Sequence, residues 1–161
     1  MYDKDKKAQL IELTGLPHPA TGAPLPHIIS NDNNLYLAYC VKTENSRDNG
    51  TYAIVRFKNN SQYIFGYPND EAAHQHPLYE NGLRPYAAYA VKNSPWIAKH
   101  LKHYGSHINT GEPLNKPYMH YIFFFHDTCF ECIAEGVETV CVEEGRIYDA
   151  VQKINKLIFE D

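Results

Sequence analysis

Tryptophan occurs once and methionine twice in a chain of 161 residues, and lysine and arginine form none of the basic stripes that a phosphate-backbone binder needs. With fifteen basic and nineteen acidic residues the formal net charge is −4, so nucleic acid is not an expected partner. The longest mainly apolar run, Tyr118 to Phe125, falls far short of the roughly 20 residues of a membrane helix, and no membrane association is expected. The first residues, Met-Tyr-Asp-Lys-Asp-Lys-Lys, have no apolar stretch of the kind a secretory signal carries, which makes a cytoplasmic location the expectation. Four cysteines (Cys40, Cys129, Cys132 and Cys141) are few for a disulfide framework in a chain this long, and free thiols are expected. Walker loops, dinucleotide fingerprints, G-x-S-x-G elbows and H-E-x-x-H helices are all missing, which removes the common nucleotide and hydrolase machinery.

What is there is 13 tyrosines and 9 histidines in an otherwise ordinary globular composition of 43% hydrophobic and 21% charged residues. The length suits a single domain over 1–161. Residues 131–161 hold eight acids against three bases, a surface suited to a basic protein partner. Residues 14–27 carry four of the ten prolines and two glycines, the composition of an extended N-terminal arm.

Strand-forming runs cover Leu35–Lys42, Thr51–Lys58 and Gln62–Tyr67, and read as an antiparallel meander closed by a short Asn59-Asn60-Ser61 connection. Tyr86–Val91 is a further strand. Ser94 as N-cap, Pro95 at the first helical position and Gly105 at the end delimit an internal helix. On that helix His100 and His103 read as a solvated face, with His107 beyond it. Tyr118–Phe125 and Phe130–Glu135 form a hairpin. Pairing Phe125 with Phe130 sets Tyr121, Phe123 and Phe125 on a greasy face and His120, Ile122, Phe124 and His126 opposite Glu135, Ile133, Glu131 and Cys129 on a mixed one. Arg146–Phe159 is an amphipathic helix whose stripe of Ile147, Val151, Ile154 and Ile158 should cap a sheet. The class is α+β, with a largely antiparallel sheet of about five to seven strands, one internal helix and one C-terminal helix.

Two constellations can carry chemistry. In the hairpin, His126 and Glu131 are diagonal neighbours, and a carboxylate beside an imidazole suits a general base, a metal shell or a plain cross-strand hydrogen bond. Cys129 and Cys132 have C-x-x-C spacing but fall on opposite faces of a strand, which suits neither a redox pair nor a zinc knuckle. In the loop Asn69–Tyr79, His74 and His76 have His-x-His spacing. With Asp70 or Glu71 they match a two-His-one-carboxylate set for Zn or Fe, and equally a pair of solvated loop residues.

The segments Asn69-Asp-Glu-Ala, His76-Pro-Leu-Tyr, Asn93-Ser-x-Trp96-Ile97 and His120-Tyr-Ile-Phe-x-Phe-His126-Asp127-x-x-Phe130-Glu131-Cys132 resemble a family of uncharacterised, mainly bacterial proteins. The resemblance spans about Pro68 to Gly136 and carries no activity. It implies that the loop, the tryptophan helix and the hairpin form one joint site or share one packing problem.

The residues read as a small binding or regulatory module for a small molecule or a basic protein partner. Its ligand-binding set is His76, Tyr79, Trp96, His126, Asp127 and Glu131, in which His76, His126, Asp127 and Glu131 give polar recognition and Tyr79 and Trp96 apolar area. The alternative is a metal-assisted or His/carboxylate hydrolase that uses His74, His76 and His126. No catalytic signature decides whether the protein is an enzyme, and the oligomeric state is open.

Overall fold

A computed structural model describes residues 7–44, 50–106, 111 and 115–160. Among these residues alternating apolar positions build nine antiparallel strands in two sheets, and two α-helices complete an α+β fold. In chain order the elements are β1 (Gln9–Glu12), β2 (His27–Ser30), β3 (Leu35–Cys40), β4 (Thr51–Lys58), β5 (Gln62–Gly66), β6 (Ala87–Lys92), α1 (Pro95–Tyr104), β7 (Met119–Phe124), β8 (Cys129–Ala134), β9 (Gly136–Glu144) and α2 (Ile147–Glu160). The larger sheet runs β1-β6-β7-β8-β5 and the smaller β2-β3-β4-β9. Among the described residues no helix is long and apolar enough to cross a membrane.

The alternation on β3 and β4 sends Leu35, Leu37, Tyr39, Ala53, Val55 and Phe57 between the sheets. They meet Ala88, Ala90, Tyr121, Phe123, Phe130, Cys132 and Ala134 from the larger sheet. Phe57 is the hub, its ring 5.9 Å from Tyr121, 5.6 Å from Phe123 and 5.1 Å from Phe130. Burying one such ring contributes about 1.5–3 kcal/mol. On the outer face of the smaller sheet, Tyr36, Ala38, Tyr52 and Ile54 pack against Ala150, Ile154 and Ile158 of α2, so the C-terminal helix caps a sheet as its periodicity requires. On the outer face of the larger sheet, Tyr89, Val91, Ile122, Phe124 and Cys129 lie beneath Ala73, Leu78 and Leu83 from the irregular segment between β5 and β6.

The proline-rich arm is tied to β3. Ala20 N–H donates to Cys40 O, Lys42 N–H to His18 O, and the Tyr39 hydroxyl to Pro17 O at 2.7 Å. Helix α1 starts and stops where its sequence dictates: Ser94 Oγ accepts from Ile97 N–H, Pro95 opens the first turn, and Gly105 N–H closes onto Leu101 O. The four cysteines are free thiols, with Cys129 and Cys132 in cores on opposite faces of β8.

Three expectations are corrected. The meander is broken: β4 pairs with β3 and β9, while β5 crosses to the other sheet and pairs with β8. The cause is a corner at which the β4–β5 and β8–β9 connections change sheets together, pinned by Glu135 N–H to Lys58 O, Ser61 N–H to Ile133 O and Asn59 Nδ2 to Glu135 Oε2. The hairpin register differs by two residues, with Phe123 opposite Phe130 and Ile122 opposite Glu131, because Phe125 N–H bonds to Thr128 O across a two-residue turn. Both faces keep their expected residues. Finally, His100 is buried rather than solvated, since α1 presents that side to the sheet. Its Nε2 lies 2.9 Å from Ser61 Oγ, and burial lowers its pKa. His103 is exposed as expected, and His107 lies outside the described residues.

Candidate functional site

The mixed face of β7 and β8 centres on Glu131. The observed register sets His120 diagonal to Glu131, and His120 Nε2 approaches Oε2 at 2.7 Å. The other ring nitrogen of His120 is 2.8 Å from Ser94 Oγ, the N-cap of α1, and the Trp96 ring stands edge-on to His120 with centroids 5.1 Å apart. From the opposite side the turn Ala73–Gln75 ends in extended backbone at His76, whose Nε2 reaches Glu131 Oε1 at 2.9 Å. Leu78 N–H donates to His76 Nδ1 at 3.1 Å. A nitrogen that accepts from a backbone amide carries no proton, so the His76 proton sits on Nε2 and is donated to the carboxylate. Burial pushes the Glu131 carboxyl up, but the hydrogen bonds from His120 and His76 outweigh it and hold it at about 2.

This centre is closed. His76, His120 and Ser94 are 7%, 2% and 2% exposed, and every nitrogen of both rings has a partner. Ser94, His120 and Glu131 form a hydroxyl–imidazole–carboxylate chain, but the hydroxyl is buried and caps a helix, which leaves it unavailable to a substrate. One ligand atom each from His76, Cys129 and Glu131 lie within 4.8 Å of one another, a group of the size a metal ion needs. Zn or Fe there would require His76 Nε2 to release the proton its tautomer carries, leaving any proton on Nδ1 against Leu78 N–H. It would also require a Cys129 thiolate, whereas burial and then the Glu131 charge hold that thiol well above its ordinary pKa.

A second, open cluster stands at the hairpin turn. Tyr86 adopts φ +66°, a left-handed conformation that costs a bulky residue about 1–3 kcal/mol. It is held there by Tyr86 N–H to Phe124 O at 2.7 Å. The Tyr86 hydroxyl donates to Asp70 Oδ2. His126 Nδ1 lies 2.9 Å from the same oxygen and 3.0 Å from the hydroxyl, with the two rings stacked. The Tyr86 bond lowers the Asp70 pKa, with His126 adding to it, while burial and then Asp70 raise Tyr86 to about 12. Asp70 thus orients His126, whose side chain is 41% exposed, with Nε2 directed away from its carboxylate and 3.9 Å from Asp127 Oδ1.

Beside Tyr86 opens a cleft of about 530 Å³ whose lining includes Glu12, His18, Asn81, Arg84 and Tyr86. The Arg84 guanidinium lies 4.3 Å over the Tyr79 ring, and its Nη1 donates to Tyr79 O and Leu83 O. Among the described residues no carboxylate pairs with it.

Of the residues expected to bind together, His76 and Glu131 meet directly and Trp96 joins them through His120. Tyr79 supports Arg84 in the cleft. His126 turns to Asp70 and Tyr86 rather than to Glu131, and Asp127 projects into solvent with 84% of its side chain exposed. His74 is exposed and His76 buried, because the turn between them rotates the chain and parts the His-x-His pair. Tyr86 and Arg84 were not legible as functional, for a left-handed tyrosine and a ring-docked arginine leave no spacing signature. Comparison of the chain with protein-family models, curated proteins and solved structures gives no match.

Proposed function

We propose that the protein is a cytoplasmic binding module for a small anionic molecule, taken up in the cleft beside Arg84 and Tyr86. One observation carries this reading: Arg84 is fixed by a ring and two carbonyls through Nη1, and among the described residues no carboxylate satisfies the rest of its fork. A guanidinium held this way matches a carboxylate or phosphate group. The cleft volume lies within the roughly 300–1,000 Å³ usual for small-molecule sites. A basic protein partner is less well supported, because Glu138 pairs with Arg56 and Lys58, Glu143 with Lys153, and Glu135 with Lys116 within the chain. Titration of amide NMR spectra with inorganic phosphate and with succinate tests the reading. Shifts confined to residues around Arg84, weakened at least about tenfold in Arg84→Gln, are expected. No response to either anion at millimolar concentration would sink it.

A His/carboxylate or metal-assisted hydrolase is the second reading. It is supported by the orientation of His126 by Asp70 and by the gathering of His76, Cys129 and Glu131. Stoichiometric zinc or iron in untagged protein, lost in His76→Ala, would favour it. Metal-free protein inactive on a panel of esters and phosphoesters would remove it.

A further inference from the structure

β1 forms one edge of the larger sheet and pairs with β6, which sets Leu10 opposite Val91 and Glu12 opposite Tyr89. Side chains two apart on a strand share a face, so Glu12 stands on the outer face with Leu10, which packs there against the cluster of Tyr89 and Val91. A third apolar residue would continue that pattern. The chain instead places a carboxylate at this position, and it lines the cleft of about 530 Å³ that also holds Arg84.

The cleft therefore carries one charge of each sign. Glu12 enters from β1 and Arg84 from the segment that covers the sheet, and Tyr89 links them: it pairs with Glu12 across the strands, and its hydroxyl donates to Arg84 O at 3.4 Å. Burial raises the Tyr89 pKa, Glu12 adds to the rise and Arg84 opposes it, so that hydroxyl lies in the field of both charges. The two do not pair with each other, and among the described residues neither has another partner of opposite charge. Leu10, Ala87 and Tyr89 line the same cleft with apolar surface. Glu12 and Arg84 are both exposed, so a ligand reaches them without opening the fold.

We propose that the ligand of this cleft is a small zwitterion, an amino acid whose carboxylate docks on the free edge of the Arg84 guanidinium and whose ammonium group docks on Glu12. This rests on anion binding at Arg84 and narrows it. A purely anionic ligand gains at Arg84 and is repelled at Glu12, and a purely cationic one meets the reverse. An amino acid satisfies both, through a charge-assisted hydrogen bond at each end. The planar fork of Arg84 matches a carboxylate, and the Glu12 carboxylate accepts from any of the three N–H groups of an ammonium.

Amide NMR titrations at fixed ionic strength are the test. Glycine, β-alanine and 4-aminobutyrate set the two charges progressively farther apart, and each is compared with the carboxylate that lacks the amine: acetate, propionate and butyrate. At least one amino acid is expected to bind at least about fivefold more tightly than its amine-free counterpart, the factor that one exposed ion pair supplies. In Glu12→Gln that gain should vanish while the plain carboxylates bind no more weakly than to the wild type. Arg84→Gln should weaken both sets, and Glu144→Gln, on the smaller sheet, should leave every affinity unchanged. The comparison within each pair is made on the wild type and stands whether or not a variant folds. Carboxylates that shift the residues around Arg84 with no gain from the ammonium group in any pair, or a gain that survives Glu12→Gln, overturn the zwitterion and leave anion binding standing. No response to any of these compounds, nor to phosphate and succinate, overturns both.

Discussion

His120 and Glu131 are joined at 2.7 Å across the diagonal of a β-hairpin, and His76 closes on the other carboxylate oxygen from a loop. The larger sheet, the helix capped by Ser94 and the segment that covers the sheet are therefore fastened at one carboxylate. Hydrogen bonds to a charged group contribute about 1.5–3 kcal/mol each. Because Gln keeps one acceptor, Glu131→Gln is expected to lose about 2–4 kcal/mol by urea denaturation.

The same carboxylate sets an acid limit. Its folded pKa of about 2 lies below the ordinary value of 4.5. Its contribution is therefore full above pH 4.5 and is lost as pH falls through that interval toward 2. At 1.36 kcal/mol per pH unit the loss is about 3 kcal/mol. Denaturation midpoints measured across this range should fall more steeply in the wild type than in Glu131→Gln.

His76 is expected to be the Nε2–H tautomer at neutral pH, since Leu78 N–H points at Nδ1. Long-range proton–nitrogen NMR spectra read this directly. A proton found on Nδ1 would contradict the network described, and zinc that left the His76 resonances unmoved would exclude that ring from any metal site.

Tyr86→Phe removes the hydroxyl shared by Asp70 and His126. The Asp70 carboxyl should then titrate at higher pH, because its largest stabilising bond is gone, and carbon NMR of the carboxyl group follows the change. The fold should lose about 1 kcal/mol, the net worth of one hydrogen bond.

His100, packed against Tyr104 and Tyr118, links stability to pH as well. Burial lowers its pKa below the ordinary 6.5, so the unfolded chain takes up the proton first. Stability should be full above pH 6.5 and fall as pH drops through the folded pKa. His100→Phe, which preserves ring contacts with Tyr104 and Tyr118, should flatten thermal-melt midpoints across that window.

Sequence patterns carried the parts of the fold that local chemistry decides. Ser94-Pro95 and Gly105 delimit α1, and the alternation on β7 and β8 assigns every residue to its face. A slip of two residues preserves all of those assignments, so hydrophobicity is blind to it. The turn between Phe125 and Thr128 fixes the register, and it gives Glu131 to His120 instead of His126. β9 was not read as a strand because glutamates interrupt its valines, two of which, Val140 and Val142, are exposed. The crossing of β5 depends on the corner at Asn59 and Glu135, where residues far apart in the chain meet. His76 and Glu131 were legible as chemistry-bearing residues; that they would meet, with Leu78 and His120 completing their hydrogen bonds, depends on how the loop and the hairpin pack in space.

That corner also governs how the molecule comes apart. β4, interior to one sheet, runs into β5 at the rim of the other, while β8 and β9 make the reverse passage beside them. Neither sheet owns its strands outright, so peeling either one away strips hydrogen bonds from its neighbour. The two layers therefore constitute one cooperative unit, and amides in β4 and β8 should exchange with solvent only through global unfolding.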